Sequence, residues 1–411
     1  MNWICCQLGA REHYAVPRAL FRLGMLECLL TDAWVPPVSL VAILGRGQRS
    51  DISSRWQEEL SDARVKAFTG SLILFETVAR ARGLTMWESV IARNRWFQHK
   101  VVNALTSDLR PQTSDSPILL SYSYTALKPF RYAKARGWKT VLVQIDPGPE
   151  EEKIVVEEAA RVPELAGEWQ PAPAEYWARW REECKLADRI VVNSKWSREG
   201  LIRGGVPAEK MSLIPLAYEG PEVRGQKSEV RSLRRYPARF TEERPLRVLF
   251  LGLINLRKGV ARLLEAARNL RDEPVEFWMV GPVEIAKAIT IADAGRVKWF
   301  GAVTRNQATE FYRDADVFIL PTLSDGFAIT QLEAQAHGLP IIASKSCGKV
   351  VQDGVNGIIL DEPSAACIAR AICDCIANPD SLQKLAEASQ LDDKFTLHAL
   401  AQRLEEQGGT L

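Results

Sequence analysis

Residues 317–343 read VFILPTLSDGFAITQLEAQAHGLPIIA, and this stretch decides the fold of the second half of the chain. An apolar run stands at each end of the stretch, and a helix-type pattern lies between the two runs. Thr330 is predicted to cap the N-terminus of this helix, and Gly338 with Pro340 is predicted to end it. A strand, a short helix and a second strand in this order predict part of a parallel sheet.

The same alternation of apolar strands and helices extends over the whole second half. Five short apolar runs are predicted to be strands: 248–252, 277–281, 297–301, 317–321 and 341–343. Residues 260–270 carry their leucines on one face and predict a helix between the first two runs. Because strands that alternate with helices form parallel sheets covered on both faces, a Rossmann-like domain is predicted at 246–392.

The first half has a weaker version of this pattern. Its predicted strands include 141–143, 190–192 and 214–216, and a first domain is assigned to 1–217. The polar, arginine-rich region 218–245 is predicted to be a linker. The predicted fold class is therefore α/β, with two Rossmann-like domains that face each other across a cleft. Ligands of such domains bind at the carboxyl ends of the strands.

The composition of the 411 residues excludes several classes of protein. Lys and Arg number 53 and Asp and Glu number 51, so the formal net charge of +2 argues against a nucleic-acid-coating protein. We expect no signal peptide and no membrane span, because the N-terminus and the apolar runs lack their patterns. The eight cysteines lack C-x-x-C spacing and the four histidines are scattered, so neither a metal site nor a disulfide framework is expected. The expected location is the cytoplasm.

Two acids eight positions apart, Asp325 and Glu333, are the first candidates for a binding site. Asp325 lies on the loop that follows a predicted strand, and Glu333 lies about one turn inside the next helix. Carboxylates at such positions can accept hydrogen bonds from hydroxyls, while the helix N-terminus favours an anion such as phosphate. The pair suits a polyol joined to a phosphate. A surface turn followed by an ordinary helix is the alternative interpretation.

Arg257 and Lys258 form a second candidate element, because they also follow a strand end and precede a helix. Two adjacent cations at this point could hold a pyrophosphate and stabilise it as a leaving group. The alternative is a solvated pair near a helix start, where cations oppose the helix dipole.

Residues 246–360 resemble the donor domain of the GT-B glycosyltransferases, specifically the retaining group called family 4. The family's two-acid motif matches 325–334 and is followed by the matching segment 338–343. The remaining matches are the Lys-Gly element at 258–259, the segment 353–357 and, in the first half, 187–194.

This resemblance implies a nucleotide-sugar donor of the UDP or GDP type, bound in the second domain without a metal or other cofactor. Glu333 would bind the ribose hydroxyls, and Asp325 would contact hydroxyls of the transferred sugar. Lys258, assisted by Arg257, would bind the diphosphate. The other implied donor-binding residues lie between the two acids: Gly326, Phe327, Ala328, Ile329 and Thr330. A helix at 393–411 is expected to return to the first domain, as in many family members.

Several positions depart from the family pattern. The first acid is Asp325 rather than Glu, Leu253 replaces an Arg, and Lys349 is nearest to a missing Glu. The segment 144–148 lacks a His that many members carry. Two alternatives to transferase activity therefore stay open: a nucleotide-sugar epimerase of the same fold, and a non-catalytic sugar-nucleotide-binding subunit.

The acceptor is expected to bind to the first domain. Gly9, Arg11 and His13 match the family's first cleft-facing loop, and Asp146 follows another predicted strand. A structural histidine and a simple turn residue are the alternatives for the last two. Ten of the twelve tryptophans precede residue 200, which suits stacking on a saccharide ring or ordinary core packing.

The basic and aromatic stretch 87–110 suggests a peripheral contact with the inner face of a membrane, close to a lipid-linked acceptor. A solvated helix is the alternative. Taken together, the sequence predicts a retaining glycosyltransferase with a glycan or lipid-linked saccharide as acceptor, and nucleic acid is not expected as a partner.

Overall fold

The computed structural model describes residues 2–37, 39, 55–107, 116–219, 234–286 and 296–411. The first half forms a parallel sheet of seven strands in the order β3-β2-β1-β4-β5-β6-β7. These strands are β1 (Trp3–Gln7), β2 (Leu26–Thr31), β3 (Val65–Ala67), β4 (Ile118–Tyr122), β5 (Lys139–Gln144), β6 (Arg189–Val192) and β7 (Met211–Leu213).

The second half forms a separate parallel sheet of six strands in the order β10-β9-β8-β11-β12-β13. Its strands are β8 (Leu246–Leu251), β9 (Val275–Val280), β10 (Val297–Gly301), β11 (Val317–Leu320), β12 (Ile341–Ala343) and β13 (Gly357–Ile359). The central strands are buried along their length, as expected for sheets covered by helices on both faces. The predicted fold class, two Rossmann-like domains, is confirmed.

Helices cover both sheets. The first domain carries α1 (Ala15–Arg22), α2 (Thr69–Ala81), α3 (Met86–Ser107), α4 (Leu127–Lys134), α5 (Pro149–Arg161), α6 (Pro163–Ala166), α7 (Ala174–Leu186) and α8 (Lys195–Arg203). The remaining described helices are α9 (Val260–Asn269), α10 (Arg305–Asp314), α11 (Thr330–Ala336), α12 (Ala365–Ala377), α13 (Pro379–Ala388) and α14 (Leu397–Gly409). Within the described part of the chain, every helix is too short or too polar to cross a bilayer.

The helix α14 packs on the first domain although it follows the second domain in sequence. Leu397, Leu400 and Leu404 share a buried cluster with Ala19 and Leu20 of α1. The chain therefore passes between the domains twice, once before β8 and once before α14. Of the predicted linker 218–245, residues 220–233 lie outside the described residues.

The strand predicted at 214–216 is misplaced, because β7 ends at Leu213. The Ile214 N–H still donates to the Val192 carbonyl at 2.9 Å, but Pro215 has no N–H with which to continue the ladder. In both sheets the strand order reverses beside the first strand, between β1 and β4 and between β8 and β11. Ligands of doubly wound sheets bind in the crevice at this point, which directs attention to the loops that follow these strands.

Candidate functional site

A close backbone contact sets the position of Lys258. Gly259 has a positive φ of 73°, and a Cβ atom there would lie 2.0 Å from the Pro321 carbonyl oxygen. Only glycine allows this approach of the two loops that follow β8 and β11. The Asn255 side chain caps the short turn Leu256–Lys258 by accepting the Lys258 N–H at 3.2 Å.

The carbonyl of Arg257 ties the same two loops together. It accepts the Leu323 N–H at 2.9 Å and the Thr322 hydroxyl at 3.1 Å. These contacts bring the loop that carries Asp325 alongside the turn that carries Lys258. Residues 67 positions apart in sequence are thereby held side by side.

Asp325 lies between two cations. Its Oδ2 forms an ion pair with the Lys258 ammonium and lies 3.7 Å from Nη1 of Arg257. Burial would raise the pKa of the Asp325 carboxyl, but the charges of Lys258 and Arg257 outweigh burial and hold this pKa below its ordinary value. The structure thus brings together three predicted site residues as one acid and two cations, all largely buried.

The Arg257 guanidinium also faces the first domain. Glu151 of α5 lies 3.6 Å from it and accepts the Ser324 hydroxyl at 2.9 Å. Burial raises the pKa of Glu151 to about 7, an effect that Arg257 opposes and the nearby acids reinforce. Trp196 adds a second bond across the domains by donating its indole N–H to Ser324 at 2.9 Å.

Gly326 lies at a close contact between the two domains. A Cβ atom there would be 1.8 Å from the Ile145 carbonyl oxygen and 2.9 Å from the Asn193 side chain. Its own carbonyl accepts the Ser197 hydroxyl at 3.3 Å. The loop between the two acids therefore docks directly on the first domain.

Glu333 is bonded to both domains. Its Oε2 accepts the Tyr312 hydroxyl at 2.8 Å, and its Oε1 lies 3.4 Å from Nε2 of His13. Arg305 contacts the other ring nitrogen of His13. Burial would raise the pKa of Glu333, but the His13 and Tyr312 contacts and the Arg305 charge together lower it. His13, expected on the acceptor side, thus reaches the predicted ribose-binding acid.

The residues between the two acids form a buried turn. Phe327 packs edge-on against Phe395 at 5.7 Å, and its N–H donates to Asp325 at 3.3 Å. Ala328 has a positive φ of 64°, and its carbonyl accepts the Gln331 N–H at 3.1 Å.

The prediction that Thr330 caps α11 is wrong. The left-handed residue Ala328 already turns the chain, and the Ile329 carbonyl accepts the Leu332 N–H at 2.8 Å. Ile329 is therefore the N-cap residue, without a side-chain cap, and Thr330 is the first residue of the helix.

The acceptor-side candidates lie at the carboxyl ends of the first sheet. Gly9 has φ of +88°, and its N–H donates to Asp32 at 3.0 Å. The Arg11 guanidinium lies 5.8 Å from the centre of the Tyr122 ring. The Asp146 carboxylate accepts three hydrogen bonds, from the Tyr124 hydroxyl at 2.6 Å and from Gln144 and the Gly148 N–H, both at 2.9 Å.

Sequence comparison tests the assignment of the second domain. Residues 245–378 match the family of glycosyl transferases group 1. The predicted resemblance of the second domain to the group 1 glycosyltransferases is confirmed. Relatives of this chain include a D-inositol 3-phosphate glycosyltransferase of Thermobifida fusca, 27% identical over 227 residues, 49% of this chain and 50% of the relative. A second is the amylovoran biosynthesis glycosyltransferase AmsK of Erwinia amylovora, 25% identical over 53% of this chain and 54% of the relative. The chain spans about half the length of the curated relatives it matches.

Solved structures share the fold over the full length. HepE of Anabaena in complex with UDP has a TM-score of 0.61 and 14% identity, with 100% of both chains covered. Sucrose-phosphate synthase of Thermosynechococcus elongatus has a TM-score of 0.63 and 16% identity, with 100% and 99% covered. At these identities the likeness shows the fold, so the group 1 domain belongs to a two-domain GT-B architecture.

Several residues of the site were missed by sequence reasoning. Glu151 and Trp196 belong to the first domain but contact the loop of the group 1 domain. Tyr312 and Arg305 lie on α10 and contact Glu333 and His13. One signal was available for Glu151: three glutamates follow the end of β5 at the start of α5, beside the expected cleft.

Proposed function

We propose that the chain is a retaining glycosyltransferase of family 4. It transfers a sugar from a UDP- or GDP-type nucleotide sugar to a hydroxyl of a glycan or a lipid-linked saccharide. The observation that carries the proposal is the cluster of Lys258, Arg257 and Asp325 at the interdomain cleft. The two cations face the carboxyl groups of Asp325 and Glu151, and a diphosphate can take the place of these acids.

Donor binding in this proposal is an exchange of partners. Lys258 and Asp325 neutralise each other in the structure, because each would be costly to bury alone. A diphosphate takes over the ammonium of Lys258, and the released Asp325 accepts hydroxyls of the sugar. The site thus offers a hydrogen-bond donor, Lys258, to the diphosphate and a hydrogen-bond acceptor, Asp325, to the sugar of the same nucleotide sugar.

Glu333 binds the ribose in the same way. Tyr312 keeps one carboxylate oxygen in place, while the 3.4 Å contact to His13 is long and weak. A ribose hydroxyl can replace His13 at this oxygen. The lowered pKa of Glu333 supports an ionised carboxylate, which is the better acceptor of hydroxyl hydrogen bonds.

The transfer proceeds on one face of the sugar. The bond from the anomeric carbon to the diphosphate oxygen breaks, and a bond to the acceptor oxygen forms on the same side. The acceptor proton moves to the departing phosphate oxygen. Lys258 and Arg257 stabilise the charge that develops on the leaving group, in the role that a divalent cation has in other enzymes. We therefore propose that no metal is required.

The acceptor hydroxyl approaches from the first domain. Arg11 lies over the Tyr122 ring, and Asp146 lies at the end of β5 beside Tyr124. The half-buried ring and hydroxyl of Tyr124, beside the Asp146 carboxylate, suit a saccharide, whose rings stack and whose hydroxyls form hydrogen bonds. The identity of the acceptor is tested together with that of the donor.

The test is a screen of nucleotide sugars for a rise in Tm, followed by turnover with candidate acceptors. We expect one UDP or GDP sugar to stabilise the protein, release of its nucleotide to require an acceptor, and chelation of metals to leave the rate unchanged. The anomeric configuration of the product, read by NMR, should equal that of the donor. Inversion contradicts the retaining mechanism, and conversion of donor without acceptor indicates an epimerase.

A further inference from the structure

The helix α2 turns an apolar face to solvent. Ile73, Leu74 and Val78 are 42%, 65% and 40% exposed, and Met86 at the start of α3 is 56% exposed. The other exposed large apolar side chains of the described residues are spread over the molecule: Leu23, Val156, Ile202, Leu213, Leu253, Phe300 and Val355. Single exposed apolar residues are ordinary, but three on one helix face, with a fourth close in sequence, mark an interaction surface.

The exposed face of α2 is largely apolar, and the exposed Arg80, three residues after Thr77, lies at its C-terminal end. Residues three and four apart lie on the same side of a helix, so the exposed positions form one stripe: Gly70, Ile73, Leu74, Thr77, Val78 and Ala81. The one hydroxyl in the stripe, that of Thr77, donates to the Ile73 carbonyl at 2.8 Å. This arrangement is the reverse of a normal surface helix, whose solvent side is polar.

The opposite face of α2 is fixed to the domain. Leu72 and Ala79 are buried, Phe75 stacks on Trp96 at 5.5 Å, and Ser71 accepts the Trp96 indole N–H at 3.2 Å. The helix α2 therefore has two apolar faces. One packs against the first domain, and the other is exposed to solvent. Among the aromatic residues of α3, Phe97 is buried and Trp87 and Trp96 are half-buried, so they expose less apolar surface than α2 does.

Unpaired positive charge follows the stripe. Arg80 and Arg82 are exposed, and in the described part of the chain neither guanidinium has a carboxylate partner. Apolar side chains beside unpaired arginines complement a surface with an apolar interior and an anionic outer layer. That is the chemistry of an anionic lipid bilayer, in whose interface amphipathic helices lie.

The stripe is also connected to the acceptor side of the cleft. Glu76 of α2 lies 3.5 Å from Arg93, Arg93 bonds to Asp32 at 3.3 Å, and Asp32 accepts the Gly9 N–H. Thr69 at the start of α2 accepts the Trp34 N–H just beyond β2. These contacts link α2 to the loop that follows β1, which carries the acceptor-side candidates Gly9 and Arg11.

We propose that the exposed face of α2, with Met86, Arg80 and Arg82, binds an anionic lipid surface. A second copy of the chain is a poorer occupant, because a stable dimer buries about 1,200–2,000 Å² and four side chains supply far less. Delivery of a lipid-linked acceptor to the cleft follows from this surface only if the proposed transfer reaction is correct. The lipid contact itself does not depend on that reaction.

The test is co-sedimentation of the full chain with vesicles of phosphatidylcholine, with and without phosphatidylglycerol. We expect binding to the anionic vesicles and little to the neutral ones. The variant Ile73→Gln/Leu74→Gln/Val78→Gln should lose roughly tenfold or more of this binding, because it removes the inserted side chains. Arg80→Gln/Arg82→Gln should lose roughly tenfold by removing the attraction to the headgroups.

Ile202→Gln on α8 is the matched control, since Ile202 is 40% exposed on another face and should leave binding unchanged. Tm and UDP binding, measured on every variant, separate a lost lipid contact from a lost fold or a failed donor site. Equal binding to neutral and anionic vesicles, no binding by the wild type, or unchanged binding by the triple variant would each overturn the proposal. A wild-type dimer that the triple variant converts to monomer, without vesicle binding, would overturn it in favour of self-association.

Discussion

The two sheets present different chemistry at their carboxyl ends. In the second domain, Asp325 is neutralised by the cations Lys258 and Arg257. In the first domain, two of the acids are held by hydroxyls: Tyr122 donates to Glu12 at 2.7 Å, and Tyr124 donates to Asp146 at 2.6 Å.

The difference bears on what each end can bind. Burial raises the pKa of Glu12, an effect that Tyr122 and Arg11 oppose without reversing, whereas the cations lower the pKa of Asp325. An anionic ligand can take over the cations of the second domain at little cost, because it replaces one negative charge with another. The first domain offers hydroxyls, rings and acids, which suit a polar, hydroxylated ligand.

The largest effect is expected from Lys258→Ala. Loss of one cation that stabilises a leaving group should lower turnover at least about 100-fold. The variant Arg11→Ala, which removes an arginine of the first domain, should lower turnover less. Steady-state turnover with the identified donor and acceptor measures both. Equal losses of turnover in Lys258→Ala and Arg11→Ala would contradict the proposed difference between the carboxyl ends of the two sheets.

Gly326→Ala tests whether the carboxyl ends of the two sheets must approach each other for the transfer. The new Cβ would collide with the Ile145 carbonyl, so the domains should be held apart and turnover should fall by roughly 10- to 100-fold. Small-angle scattering with UDP present should report a larger radius of gyration than for wild type. Gly409→Ala is the control, since nothing lies within 4 Å of its Cβ position, and an equal loss there would dismiss the steric explanation.

Glu333→Ala should weaken nucleotide binding by about tenfold or more, the cost of losing hydrogen bonds to a charged acceptor. Calorimetric titration with UDP and GDP measures the change. Glu310→Ala, an exposed glutamate of α10 in the same domain, should bind as wild type does. Unchanged affinity in Glu333→Ala would refute the ribose role.

The smallest effect concerns pH and the contact between the domains. The pKa of Glu151 is raised to about 7 from 4.5, so the folded protein retains a proton there that the unfolded chain releases. Stability should therefore fall as pH rises from about 4.5 to about 7, and Glu151→Gln should reduce this fall. Tm measured across this window checks the sign, with the exposed Glu157→Gln on the same helix as control. A wild-type curve parallel to that of Glu151→Gln would show that the carboxyl is not buried.

The donor side could be predicted from sequence because its information is local. The acids at 325 and 333 lie on one strand-loop-helix unit, and the Lys-Gly pair lies on another, so spacing alone indicates their chemistry. The first domain gave weaker predictions, since Arg11, Tyr122 and Asp146 come from the ends of three different strands. The contact between His13 and Glu333 spans 320 positions and has no local pattern.

The error at Thr330 has a physical cause as well. Ala328 adopts a left-handed conformation that alanine seldom takes, and this moves the helix start by one residue. Contacts between the domains hold the loop around Ala328, and the sequence pattern does not describe those contacts.

The return of α14 to the first domain has a practical consequence. Trp3 of β1 and Leu411, just after α14, belong to the same packed cluster, although almost the whole sequence separates them. Fluorescent labels on the exposed positions Leu23, just after α1, and Gln402 of α14 would therefore stay at a constant separation while the cleft opens and closes. An energy-transfer assay of cleft opening therefore needs one dye on the second domain, for example on the exposed side of α10.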